Sequence, residues 1–190
     1  MFRRRPLRRM LRQATPMGEA GRLALRQANQ LNDAGNHEQA AEIFERVAQR
    51  MENRQRLNRS AFLFLQAGHS RMLAGQIDAT MELVKRGLGI LAQNQRWRTY
   101  AQGANMMVKE LTRLGYPGQA AEIQNMLHQT LPARAGQHQD ASSEALPSKT
   151  SGKLPGKCPF CGASLRSDMI EWIDDASAEC PYCGSTVQAE

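Results

Sequence analysis

The sequence has few aromatic residues, few cysteines and no long apolar run. Phe, Trp and Tyr make up 5% of the 190 residues, and all four cysteines lie within residues 158–190. No run of about 18 apolar residues is present, so we expect no membrane span. No apolar stretch follows the arginine-rich start, which argues against a secretory signal. We therefore expect a soluble, cytoplasmic protein with reduced cysteines.

The signatures of common catalytic sites are also missing. The sequence contains no Gly-rich phosphate loop, no G-x-S-x-G elbow and no H-E-x-x-H pair. The four histidines are scattered without the spacing of metal ligands, at His37, His69, His128 and His138. We expect the protein not to be an enzyme and to have no small-molecule substrate.

The four cysteines form two similar pairs. The sequence reads C-P-F-C-G at 158–162 and C-P-Y-C-G at 180–184, with 18 residues between the pairs. Two residues between thiolates let one tight turn direct both sulfurs at one ion, and two such turns complete a tetrahedron with no position left for water or substrate. We predict a structural metal site with these ligands: Cys158, Cys161, Cys180 and Cys183.

The doubled C-P-x-C-G motif resembles the zinc ribbon, a small β-hairpin fold, over residues 158–190. The resemblance implies one structural Zn²⁺, although iron fits an all-thiolate tetrahedron equally well. Two disulfides, or a thiol redox or metal-handling role, are the other interpretations. A β-prone stretch from Met169 to Ile173 predicts the hairpin, and we expect Trp172 to cover the metal. So small a segment needs metal binding for much of its folding free energy.

The preceding part of the chain repeats at a period of 40 residues. Gly35, Gly75 and Gly115 are in register, and Gln-Ala-Ala-Glu-Ile occurs at 39–43 and again at 119–123. After each glycine, apolar residues recur at the 3.6-residue spacing of an amphipathic helix. A period between 20 and 50 residues indicates stacked supersecondary units. We predict three units, each made of two helices joined at the glycine.

The second helix of the first unit resembles a tetratricopeptide (TPR) repeat in its spacing of Gly35, Ala40, Phe44 and Val47. Because 40 residues exceed the TPR period of about 34, we expect longer connections, with a capping box at Asn36. The predicted fold class is mainly α, with TPR-like antiparallel helix-pair repeats and a small C-terminal β-hairpin zinc ribbon. A plain helical bundle is the alternative.

Composition divides the chain into four segments. Residues 1–15 form an arginine-rich arm, in which six of the first 12 residues are arginine. Residues 16–132 contain the three repeats, and residues 133–157 form a linker that we expect to be flexible. The ribbon at 158–190 has one arginine against six acidic residues, whereas the chain as a whole has a net charge of +7.

We expect a non-enzymatic, zinc-binding adaptor or scaffold that acts through protein–protein contacts of its repeats and ribbon. Stacked helix pairs form concave surfaces that bind peptides, and here the first helices would contribute Arg22, Arg26, Asn29, His69, Asn105 and Lys109. The tethered acidic ribbon is one candidate for docking there. The alternative is a nucleic-acid-associated transcription or translation factor that uses the arm at 1–12, which also suits an anionic membrane surface.

Overall fold

The computed structural model describes residues 16–131, 154–166 and 170–189. The predicted arm and most of the predicted linker lie outside these residues. The first range forms what we call the helix array: α1 (Glu19–Asp33), α2 (His37–Asn53), α3 (Leu57–Leu73), α4 (Ile77–Gln93), α5 (Trp97–Arg113) and α6 (Pro117–Thr130). Among these helices, none combines the length and apolar character that a membrane span needs.

Each connection between helices has three residues, and its middle residue is left-handed. Gly35 has a φ of 82°, and the two other predicted glycines behave alike. The remaining connections place Gln55 and Gln95 at this position, with φ of 59° and 57°. The following amide then bonds to the carbonyl five residues earlier, as from Asn36 to Leu31 at 2.8 Å, which is the Schellman motif. The turn recurs every 20 residues, half the period of the sequence repeat.

Two expectations about the repeats are wrong. The connections are not longer than usual, because the extra length lies in helices of 17 residues, α2 to α5. Asn36 is the N-cap residue of α2, but its side chain makes no capping bond. Its ψ of 58° differs from the extended backbone of a typical capping residue. Pro117 occupies the start of α6, where the fixed φ of proline suits the first turn of a helix.

Helix α3 lies between its neighbours and is buried on all sides. It packs against α2 and α4 and also meets α5, so 11 of its 17 residues are buried. Glycines allow close approach here: a Cβ on Gly87 would lie 3.0 Å from the carbonyl oxygen of Ala61, and one on Gly68 would lie 2.9 Å from Val84. Consecutive helices run antiparallel, and the predicted mainly α fold class is confirmed.

The second and third described ranges form what we call the cysteine module (154–166 and 170–189). Its sheet has three antiparallel strands in sequential order: β1 (Glu171–Trp172), β2 (Ser177–Glu179) and β3 (Thr186–Gln188). The predicted hairpin corresponds to β1 and β2, and β3 adds a strand after the second cysteine pair. Trp172, expected over the metal, is half-buried on β1 opposite Ala178.

Candidate metal centre and its contacts with the helices

Four cysteine sulfurs meet between the two C-P-x-C-G turns. The Sγ atoms all lie within 4.8 Å of one another, and two pairs, Cys158 with Cys183 and Cys161 with Cys180, are 3.8 Å apart. A tetrahedron with Zn–S bonds of about 2.3 Å has edges of about 3.8 Å. The cysteines are free thiols and at most 2% exposed. The cluster could therefore hold one metal ion shielded from solvent.

The two cysteine turns share one backbone geometry. The Gly162 amide donates to the Cys158 carbonyl and the Gly184 amide to the Cys180 carbonyl, both at 2.8 Å. Both glycines are left-handed, with φ of 75° and 72°. Just outside each turn stands an antiparallel residue pair: Lys157 with Ser164, and Glu179 with Thr186. This equivalence explains why the same five-residue pattern occurs twice in the sequence.

Crowding shifts the thiol pKa values in opposite directions. Hydrogen bonds from Cys161 and Cys180 lower the pKa of Cys158 to about 7, and a bond from Cys158 lowers the pKa of Cys183. Hydrogen bonding to Cys158, together with burial, raises the pKa of Cys161 and of Cys180. A divalent cation would offset the repulsion among four thiolates, and its binding releases protons. Metal affinity is therefore expected to fall as pH falls.

The first cysteine turn lies on helix α1. The Arg26 guanidinium donates to the carbonyl oxygens of Pro159 and Phe160, at 2.8 and 3.1 Å. The Asn29 side-chain amide donates to the carbonyl of Cys161 at 2.9 Å. Because Arg26 and Asn29 are three residues apart, they lie on one face of the helix. This face therefore binds the backbone of the turn rather than its side chains.

The second cysteine turn contacts α3 and the residues before α1. The Met17 amide donates to the Cys183 carbonyl at 2.8 Å. The Tyr182 ring meets the Phe62 ring of α3 edge-on, with centroids 5.9 Å apart, and burial raises the Tyr182 pKa. The four cysteines belong to the same cluster of buried residues as the helix core. The module and the start of the helix array thus share one interior.

Two ion pairs of opposite polarity join the module to the array. Arg59 of α3, with its side chain 7% exposed, places a guanidinium nitrogen 2.8 Å from a carboxylate oxygen of Glu179. Lys157 of the module pairs with Asp33 of α1. Gly184 packs against Arg59 so closely that a Cβ would lie 1.9 Å from the guanidinium. Since one pair has its acid on the module and the other on the array, net charge alone does not explain the contact.

The six residues predicted to line a concave surface have different surroundings. Arg26 and Asn29 contact the module, as described above. Arg22 bonds to the carbonyl of Met17 at 2.8 Å. His69 is half-buried, and loss of hydration lowers its pKa. Asn105 and Lys109, both on α5, are exposed, as is Arg26 on α1.

Sequence reasoning missed Arg59, although the sequence carries a signal for it. Between Leu57 and Ser70, Arg59 is the one Lys, Arg, Asp or Glu, in a helix rich in Leu and Phe. A lone charge among buried residues needs a dedicated partner. Here that partner is Glu179, 120 residues later in the chain, and no local pattern could identify it.

The chain matches no family model, no curated protein and no solved structure. In the described ranges, the protein combines an array of six helices with a cluster of four buried cysteines beside a small sheet.

Proposed function

We propose that the protein is a non-enzymatic scaffold whose C-terminal module is a zinc ribbon and whose TPR-like helix pairs bind another protein. The observation that carries the proposal is the closed set of four buried sulfurs at tetrahedral spacing. Four thiolates saturate a tetrahedral ion, whereas catalytic zinc sites keep one position for water or substrate. The metal would therefore stabilise the fold.

Zinc is the ion that we propose, with iron as the competitor for the same ligands. Elemental mass spectrometry of the full-length protein should give one zinc per chain, and Cys180→Ser should lose it. The visible absorption of an iron–thiolate centre in freshly purified protein would contradict zinc. Protein that carries no metal and forms two disulfides would contradict the metal site altogether.

The protein-binding surface that we propose is the face of α5 with Asn105 and Lys109. These two residues are exposed and four positions apart, so they share one helix face. The residue of α1 equivalent to Lys109, two repeat periods earlier, is Asn29, which contacts the cysteine module. A partner would then bind the C-terminal half of the array while the module covers the N-terminal half.

Affinity capture with full-length protein tests this surface. Lys109→Glu combined with Asn105→Asp should abolish retention of a partner that the unchanged protein retains. Arg50→Glu combined with Asn53→Asp, which makes the same charge change at exposed positions of α2, is the matched control and should retain it. Equal retention by all three proteins would contradict the proposed surface.

Nucleic-acid binding is the second candidate, and one observation on α2 favours it. Arg46 and Arg50 on α2 and Arg54 directly after it are exposed and lie four residues apart, and none of them belongs to the ion pairs found in the described ranges. Such a row, with the arm at 1–12, could neutralise phosphates. Changing all three to Gln should lower the dependence of heparin retention on salt, whereas Lys109→Glu with Asn105→Asp should lower it less. Retention that does not depend on salt would reject this candidate.

A further inference from the structure

We propose that the start of the helix array is a receptor for the folded cysteine turns, and that metal loading is thereby coupled to the order of α1 and α3. The receptor surface consists of Met17, Arg26, Asn29, Arg59 and Phe62. Its occupant is the cysteine module of the same chain. The inference rests on the proposed metal site but not on the proposed partner surface of α5.

The receptor surface binds groups whose positions depend on the turns being formed. Its donors engage backbone carbonyls within the two cysteine turns, at Pro159, Phe160, Cys161 and Cys183. A tight turn fixes where these oxygens point, and the metal holds both turns together because its ligands come from each. Without the ion, no bond bridges the two turns, and they can separate. The hydrogen bonds of these donors therefore depend on whether the metal is bound, although the donors contact no sulfur.

Shape dominates this recognition over charge. The Asn29 amide and the Met17 amide are neutral donors, and their acceptors are carbonyl oxygens. The ion pairs Arg59–Glu179 and Lys157–Asp33 have opposite polarity, so neither part supplies charge of one sign only. Salt screens both pairs alike but leaves the bonds between neutral groups in place, so the contact should depend less on salt than attraction between an acidic ribbon and a basic surface would.

The chain can make this contact within one molecule. Residues 132–153 connect the end of the array to the module, and 22 residues can span at most about 80 Å. A tethered ligand has an effective concentration in the millimolar range, so an interface of modest affinity is enough for occupancy. The module also covers apolar surface inside the array, since Tyr182 packs against Phe62 of α3.

Coupling has a reciprocal consequence. If the receptor surface binds the metal-loaded module more tightly than the metal-free one, it must raise the affinity of the module for the metal, and we expect this effect as slower metal loss. Metal removal must equally loosen the receptor side, because α1 and the residues before it lose the partners of Arg26, Asn29 and Met17. Helix α5 should respond least.

Zinc transfer from full-length protein to a coloured chelator tests the first consequence. Arg26→Ala with Asn29→Ala removes three hydrogen bonds to the first turn, and zinc release should accelerate by about tenfold or more. Arg50→Ala with Asn53→Ala is the matched control, with the same residue types and spacing on an exposed face of α2. Its release rate should stay within twofold of the unchanged protein. Asn29→Ala alone is the milder variant if the double variant does not fold.

Hydrogen exchange of the unchanged protein, with zinc and after chelation, tests the second consequence. Exchange should increase in α1 and in the first half of α3 on chelation and stay constant in α5. Equal zinc release from the two double variants, or unchanged exchange in α1, would overturn the coupling while leaving the zinc scaffold intact. A steep dependence of release on salt would overturn recognition by shape. Protein that purifies without metal would instead contradict the metal site, on which this inference and the zinc scaffold both depend.

Discussion

The helix array and the cysteine module are stabilised by different means. The array buries large side chains, among them Tyr100, Phe44 and Phe64. Apart from its cysteines, the module buries only a few apolar side chains, and most of them are small, such as Ala178 and Val187. Small domains bury too small a fraction of their surface to fold on apolar contacts alone. The module therefore depends on its sulfurs and on the array, whereas the array depends on its own packing.

The largest effect should come from removing a ligand. Cys161→Ser leaves three sulfurs in a buried site, and structural zinc contributes about 10–16 kcal/mol to the folding of small zinc peptides. We expect loss of the ion and of the module's chemical-shift dispersion, while helix content by circular dichroism stays nearly constant. Ser164→Ala, at an exposed position of the module, is the control. If Cys161→Ser still binds zinc, the module folds with three cysteine ligands and the prediction is contradicted.

A core substitution in the array should give the converse result. Leu88 on α4 is fully buried, and Leu→Ala at such positions costs about 2.7–5 kcal/mol. Urea unfolding of Leu88→Ala should show this loss, with one zinc per chain retained at low denaturant. Leu23→Ala, at a site 53% exposed, should change stability by less than about 0.5 kcal/mol. Loss of zinc in Leu88→Ala would mean that the two parts unfold as one unit.

A smaller effect should separate the two cysteine turns. Gly162→Ala and Gly184→Ala each place a side chain at a left-handed φ, which costs about 1–2 kcal/mol. Only Gly184→Ala also meets the Arg59 guanidinium, whereas the nearest atom to the Gly162 position is Asn29 Cβ at 3.6 Å. We expect Gly184→Ala to cost about 1–3 kcal/mol more, by the usual cost of overpacking. Equal urea midpoints for the two variants would indicate that Arg59 moves aside without cost.

The same contrast explains which features of the structure could be predicted from the sequence. The two C-P-x-C-G turns were predictable because ligand spacing acts locally, and the glycine period predicted helix pairs because Gly35 and its equivalents are left-handed. The left-handed Gln55 and Gln95 were missed, since a glutamine at such a position carries no local signal of its own. The contact between array and module was expected from charge, but its bonds to backbone carbonyls depend on tertiary geometry.

The smallest effect concerns the left-handed turns of the array. Gln55 has a φ of 59° where three equivalent turns have glycine. Gln55→Gly removes the steric cost of that conformation, about 1–2 kcal/mol, but increases the entropy of the unfolded chain by about 0.4–1 kcal/mol. We expect a net stabilisation of roughly 0.5–1 kcal/mol in urea unfolding, and a comparable loss for the reverse change, Gly75→Gln. If Gln55→Gly is instead destabilising, the Gln55 side chain must make a contact that compensates for its left-handed backbone. The cysteine module has glycine in both of its turns and needs no such contact.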